Sequence, residues 1–229
     1  MEIDSPLPRT EPPRDCPRCP RLVAFREQCR AEYPDWWNAP VHAFGDPDAW
    51  LVFAGLAPGK QGANRTGRPF TGDYAGDLLF ATLAEFGLSR GDYDARIDDG
   101  LTLDGAIIVN SVKCLPPQNK PTPEEIANCR PFFETQLAAL PSVRVIVALG
   151  RIAHDAVLRA TGARLAAYRF GHGAIHRLAD GRHLIDSYHC SRYNTNTGRL
   201  TPEMFRDVFR TALARKDQTS GPNSSTSAR

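Results

Sequence analysis

No apolar run in this chain is long enough to cross a bilayer, and the opening MEIDSPLPRTEPPRD has no apolar core of the kind a secretory signal carries. A cytosolic location with no membrane partner is therefore expected. Charge of one sign is also scarce. The 28 basic and 26 acidic residues leave a net +2, which permits a nucleic-acid partner without requiring one. The glycine-rich stretch beginning at Gly55 contains no GxGxxG. It is no Walker loop either, because Gly55, Gly59 and Lys60 lie too close together and Gln61 stands where Ser or Thr would hold magnesium.

What is present suffices for one ordinary domain, since 229 residues with 41% apolar content can bury a full core. We expect that domain over residues 16–216. Residues 1–15, rich in proline, should be flexible until Cys16 and Cys19 hold them, and residues 217–229 have nothing to bury and should form a disordered tail. Six cysteines in a cytosolic chain point to metal binding or burial rather than a disulfide framework. Cys16-Pro17-Arg18-Cys19 is a CxxC, and Cys114 and Cys129 form a second pair with 14 residues between them. Four thiolates suit zinc or a cubane iron–sulfur cluster equally on chemistry alone. Cys29 and Cys190 are left over as buried small apolar residues. Cys190 adjoins His189, but no separate carboxylate is defined to orient a thiol–imidazole pair.

Four apolar runs are short, continuous and bounded by turn residues: Trp50 to Gly55, Ala106 to Val112, Val143 to Leu149 and His183 to Tyr188. Runs of this kind suit strands buried on both faces. Helical segments are expected between them. Leu22 to Cys29 reads as a short helix, followed by an aromatic loop over Tyr33 to Pro40 whose tryptophans serve packing. Asp73 to Phe86 carries a helical stripe and stops at Gly87. Thr122-Pro123-Glu124-Glu125 is a capping box that opens a helix toward Leu140, with Pro131 expected to kink or break it. Arg151 to Ala160 and Thr201 to about Lys216 complete the set. Alternating strands and helices predict a parallel sheet covered on both faces.

Ligands of such sheets bind outside the carboxyl ends of the strands. That rule collects Phe70, Asp73, Asn110 and His189 in one crevice: a ring to stack, a carboxylate, an amide and an imidazole. The glycine loop adds backbone N–H groups suited to phosphate or carbonyl oxygens. Lys60, Arg65, Arg68, Lys113, Lys120, Arg192 and Arg199 all fall in loops assigned to the same face, which suggests a phosphate-backbone partner.

The segments GLAPG, NRTGRPFTGD, KCLPPQNKPTPEE with its trailing cysteine, ALGRIA and SYHCSRYNTNTGRLT together resemble the family 5 (type b) uracil-DNA glycosylases, relatives of the family 4 enzymes. The resemblance spans nearly the whole chain from Cys16 to the last helix. It implies a three-layer α/β/α sandwich with a central four-stranded parallel sheet, and a four-iron, four-sulfur (4Fe-4S) cluster on Cys16, Cys19, Cys114 and Cys129 in place of zinc. The implied reaction is hydrolysis of the bond between deoxyribose and a deaminated base, by a monomer acting on double- or single-stranded DNA containing uracil.

The resemblance further implies catalytic roles for Asp73 and His189, base binding by Gly55, Ala57, Gly59, Phe70, Asn110 and Asn119, and DNA contacts from Arg65, Lys120, Arg192 and Tyr193. One position departs from family 4, where a glutamate follows the first glycine of the loop. Leu56 fills that place here and cannot activate water, so Asp73 is the nearest carboxylate, a role compatible with capping the following helix. Asn110 resembles the family 4 asparagine that reads the pairing edge of uracil, and predicts a strong preference for uracil over hypoxanthine. A non-catalytic iron–sulfur DNA-binding protein would need the cysteines and basic loops but neither Asp73 nor His189. Relatives that stay covalently attached to DNA have a basic insert with a histidine, and GKQGANRTG has neither.

Overall fold

The computed structural model describes residues 11–216. The proposed tail, 217–229, and residues 1–10 lie outside the described residues. From Glu11 onward the N-terminal segment lies against the domain. The Glu11 carboxylate accepts from the Ala43 N–H at 2.6 Å and from the Gln136 amide, and Pro12 is buried.

Helix α1 (Pro20–Glu32) is longer at both ends than the apolar stretch that marked it, and it buries Leu22, Arg26 and Cys29 along one side. Then come β1 (Phe44–Gly45), β2 (Leu51–Gly55), the single turn α2 (Ala63–Thr66) and α3 (Tyr74–Glu85). The strand pair β3 (Ser89–Arg90) and β4 (Thr102–Leu103) precedes β5 (Ala106–Asn110), α4 (Pro123–Ala138), β6 (Val145–Leu149) and α5 (Arg151–Ala160). The chain closes with β7 (Ile175–Arg177), β8 (His183–Ser187), α6 (Arg192–Asn196) and α7 (Pro202–Leu213).

The main sheet has the order β1-β5-β2-β6-β8-β7. Its four inner strands are the four apolar runs, all parallel and buried along their length apart from the half-buried His183. The expected four-stranded sheet is extended to six by β1 and β7, antiparallel edges of two and three residues. Strands that short carry no hydrophobic period, so nothing in the sequence marks them.

The pleat sorts each inner strand between two layers. Leu51 and Phe53 face Leu79, Phe80 and Leu83 of α3 and Phe205 and Phe209 of α7, while Val52 and Ala54 face Phe133 and Leu137 of α4 and Val157 of α5. This is the three-layer α/β/α arrangement. Helix α4 opens on the full capping box of Thr122 and Glu125 but runs unbroken through Pro131. An interior proline costs about 3 kcal/mol. Burying Phe133 and Leu137 on the same face returns ~1.5–3 kcal/mol each, which outweighs it. The tryptophans pack as expected: Trp36 stacks on Tyr33 at 3.9 Å, and Trp37 donates to the Pro40 carbonyl.

Candidate active site

Strands β2 and β5 end in register, with Gly55 opposite Asn110. A Cβ at Gly55 would collide with Asn110 Oδ1 and lie 2.9 Å from the Phe70 ring, so only glycine lets these two side chains converge over the strand ends. Asn110 is 2% exposed, and neither its Oδ1 nor its Nδ2 has a hydrogen-bond partner. Leaving such groups unpaired costs about 1–3 kcal/mol each, so both call for a partner such as a ligand or an ordered water.

Phe70 is buried at φ +55°, in the left-handed region that disfavours side chains. Its ring lies 6.0 Å from that of His189, inclined by 29°. Asp73 caps α3, accepting from the Gly76 N–H at 3.1 Å, and its other oxygen faces the glycine loop so closely that a Cβ at Gly62 would strike it. His189 is half-buried, and burial pushes its imidazole below the usual value against an opposing pull from Asp73. The imidazole is therefore neutral near pH 7. The structure thus brings Gly55, Phe70, Asp73, Asn110 and His189 around one point at the carboxyl edge.

The loop itself is sewn to the end of β5: Ser111 N–H donates to the Gly55 carbonyl and Val112 N–H to that of Leu56. Gly59 borders Asp73 Oδ2. Ala57 packs instead against the cluster of Leu22, Val112 and Cys129, so this loop links the crevice to the cysteine region. Asn119 is exposed in a 3-10 turn at φ +57°, and among the described residues no contact ties it to the crevice.

Two residues assigned to the basic face are buried. Arg68 is 3% exposed, forked onto Asp99 at 2.7 and 2.6 Å with its Nε on Thr71. Arg68 in turn holds the Asp99 carboxyl well below the usual carboxylate range. Lys113 is fully buried, its ammonium on Gln136 at 2.5 Å and 3.6 Å from Glu11. A one-dimensional pattern of cations cannot reveal partners this distant in sequence, and neither side chain can reach a phosphate. Arg65, Lys120, Arg192 and Arg199 remain exposed. Arg192 lies over the Tyr74 ring at 5.3 Å, beside Asp73, and Tyr193 projects from α6 with 71% of its surface exposed.

Cys16, Cys19, Cys114 and Cys129 all line one cavity. Burial pushes the Cys114 thiol up to about 12 and that of Cys129 to about 11, so a counter-cation is needed to hold them as thiolates. Polar groups already face the sulfurs: the Lys113 N–H lies 3.3 Å from Cys129 Sγ and the Asn128 amide 3.8 Å from Cys19 Sγ. Arg26, 6% exposed, lines the same cavity, its Nε 3.7 Å from Glu27 Oε1 and its Nη1 donating to the Cys16 carbonyl at 3.3 Å. Cys29 and Cys190 are buried as expected, and burial raises the Cys190 thiol to about 12, which disqualifies it as a nucleophile.

Sequence reading missed a second polar group. Asp186 Oδ1 meets His154 Nδ1 at 2.7 Å, and Oδ2 meets His176 Nε2 at 3.1 Å and the Gly171 N–H at 3.2 Å. Among the described residues, this is the group of three ligand-type side chains whose atoms lie within 4.8 Å of one another. The signal was the lone acid inside the apolar run HLIDSY. His154 also turns Nε2 to the Tyr168 carbonyl at 3.1 Å, so both of its nitrogens face acceptors and both must carry protons.

A family model described as the uracil DNA glycosylase superfamily matches residues 42–213. The chain is 51% identical over 201 residues to a type-5 uracil-DNA glycosylase of Thermus thermophilus, a match that covers 85% of this chain and 90% of that one. A type-5 uracil-DNA glycosylase of Pyrobaculum aerophilum is 43% identical over 204 residues, covering 87% and 88%. A type-4 uracil-DNA glycosylase of Archaeoglobus fulgidus is 40% identical over 114 residues, 49% of each chain.

Proposed function

Because this chain belongs to the uracil DNA glycosylase superfamily, on its type-5 branch, we propose that it is a DNA-repair hydrolase that removes uracil from DNA and leaves an abasic site. The observation that carries this reading is the buried, unpaired amide of Asn110 beside the Phe70 ring. An amide offers one acceptor and two donors, which match the pairing edge of uracil.

The nucleotide leaves the helix and enters the crevice, at a cost of a few kcal/mol that is smallest at a mismatch. Phe70 stacks on the base while Asn110 pairs with its edge. As the bond to C1′ lengthens, the base gains negative charge and the sugar positive charge. Amides of the loop from Gly55 to Gly59 and the neutral His189 face the base carbonyls, and removing one such donor typically lowers a rate about 10²–10³-fold. Asp73 holds a water and opposes the sugar cation, worth roughly 4 kcal/mol at about 4 Å and an effective dielectric near 20. The water oxygen bonds C1′ as the bond to nitrogen breaks, and the released proton ends on the base.

Arg65, Lys120, Arg192 and Tyr193 serve the DNA backbone and the gap left by the base in this reading, with the protein acting as a monomer in the cytoplasm. Asn119, exposed in the turn before α4, is assigned to base binding alongside Phe70 and Asn110. Among the described residues, no helix is long and apolar enough to cross a membrane.

The four lining cysteines fit a 4Fe-4S cluster. The Lys113 N–H and the Asn128 amide face the Cys129 and Cys19 sulfurs, and the buried Arg26 guanidinium lines the same cavity, which suits sulfurs and an occupant that carry negative charge. Cys16 and Cys19 before α1 and Cys114 and Cys129 after β5 would hold such a cluster, which would tie these segments together and supply no group to the base. Metal analysis of anaerobically purified protein should find roughly four iron and four sulfide per chain; zinc without sulfide would contradict the assignment.

Incubation with uracil-containing duplex followed by alkali tests the function. Strand cleavage at the uracil is expected. Intact strands despite DNA binding would favour a non-catalytic iron–sulfur DNA-binding protein.

A further inference from the structure

Residues 91–101 join β3 to β4 without a helix or strand of their own. They nevertheless hold the stretch from Arg68 to Asp73 at both ends. At one end Asp99 forks the Arg68 guanidinium and also accepts the N–H groups of Leu101 and Asp94. At the other, Tyr93 Oη accepts the Gly72 N–H at 3.0 Å, and its ring stacks on Phe80 at 4.5 Å, inclined by 25°. Arg68 lies over the Phe44, Phe80 and Tyr93 rings at 5.0, 5.5 and 5.8 Å, which joins the two anchors into one assembly.

Gly72 sits at φ +91°, immediately before Asp73. Its amide plane sets where the Asp73 backbone enters α3, while the Gly76 N–H fixes one carboxylate oxygen from the helix side. The free oxygen then points at the glycine loop. A carboxylate that must oppose a charge only in the transition state is sensitive to displacements well under 1 Å. We propose that Tyr93 is a positioning residue for Asp73, its phenol oxygen holding the Gly72 peptide so that the carboxylate faces the reacting sugar. This rests on the reading of Asp73 given above.

Tyr93→Phe removes the acceptor and keeps the stacked ring, so the fold is retained. Single-turnover excision from a uracil-containing duplex is measured for the wild type, Tyr93→Phe, Asp73→Asn and the double variant, with equilibrium binding of the same duplex to the last two. Tyr93→Phe should be roughly five- to tenfold slower, the worth of one ordinary hydrogen bond. The double variant should be no slower than Asp73→Asn alone, and the two should bind DNA equally, because Tyr93 acts only through Asp73. A wild-type rate in Tyr93→Phe overturns the proposal, as does a multiplicative loss in the double variant. A wild-type rate in Asp73→Asn removes the carboxylate from the chemistry, and the proposal with it, an outcome distinct from the failure of Tyr93 alone.

Discussion

Two polar clusters, one centred on Asp186 of β8 and one at the carboxyl ends of β5 and β8, use similar side chains to opposite ends. Asp186, His154 and His176 close on one another, on the Gly171 N–H and on the Tyr168 carbonyl. Asn110, near Phe70, Asp73 and His189, leaves both amide atoms without a partner. A histidine beside an aspartate therefore does not mark the site in this fold. Ser89 Oγ and Arg130 Nε also lack hydrogen bonds away from the crevice. What distinguishes the site is an unpaired amide beside Phe70 at the strand ends, where a closed network would have nothing left to offer a ligand.

The contrast predicts opposite mutational signatures. Asp186→Ala strands the His154 charge and leaves the Gly171 N–H without its partner, and breaking a buried pair this way typically costs about 3–5 kcal/mol. Denaturant midpoints should fall accordingly, with the excision rate per folded molecule unchanged. An unaltered midpoint would mean that the closed cluster is not holding the fold.

Asp73→Asn should do the reverse, cutting single-turnover excision by up to about 10³-fold, equivalent to roughly 4 kcal/mol, while uracil-DNA binding stays near wild type. A loss smaller than about tenfold, or ~1.4 kcal/mol, would show the carboxylate is not where the charge develops.

Protonation separates the clusters as well. For His154 burial works against the charge, but the hydrogen bond and charge of Asp186 outweigh it and raise the value above 6.5; for His189 burial dominates and lowers it. The stability contributed by His154 is therefore complete below pH 6.5 and lost as pH rises through its folded value. That contributed by His189 is complete above pH 6.5 and lost as pH falls through its own. A ring-proton NMR titration at pH 6.5 should find His154 mostly charged and His189 mostly neutral. The reverse order would undo the distinction.

Much of this was legible in the chain. The four continuous apolar runs became the four parallel strands because burial on both faces leaves a composition that needs no partner to recognise. The helix starts at Asp73 and Thr122 were readable for a similar reason, since a cap is a local bond. Pairings across long sequence gaps were not. Arg68 and Asp99 are 31 positions apart and Lys113 and Glu11 farther, so two cations that look like a phosphate-binding face are interior anchors. Pro131 obeyed its neighbours rather than its own preference, because the buried face of α4 extends past it. The polar side chains of the crevice were named from strand-end placement, but that placement could not say which would lack a partner.

Asn110 bears the central claim most directly. Single-turnover excision of uracil and of hypoxanthine is measured for the wild type and Asn110→Ala, alongside their melting temperatures. A wrong edge in this pocket leaves polar groups unpaired, so the wild type should strongly prefer uracil. Asn110→Ala should slow uracil excision and narrow its lead over hypoxanthine, with no loss of melting temperature, since the amide it removes has no partner in the fold. An unchanged uracil-to-hypoxanthine ratio, or a marked fall in melting temperature, would contradict the account.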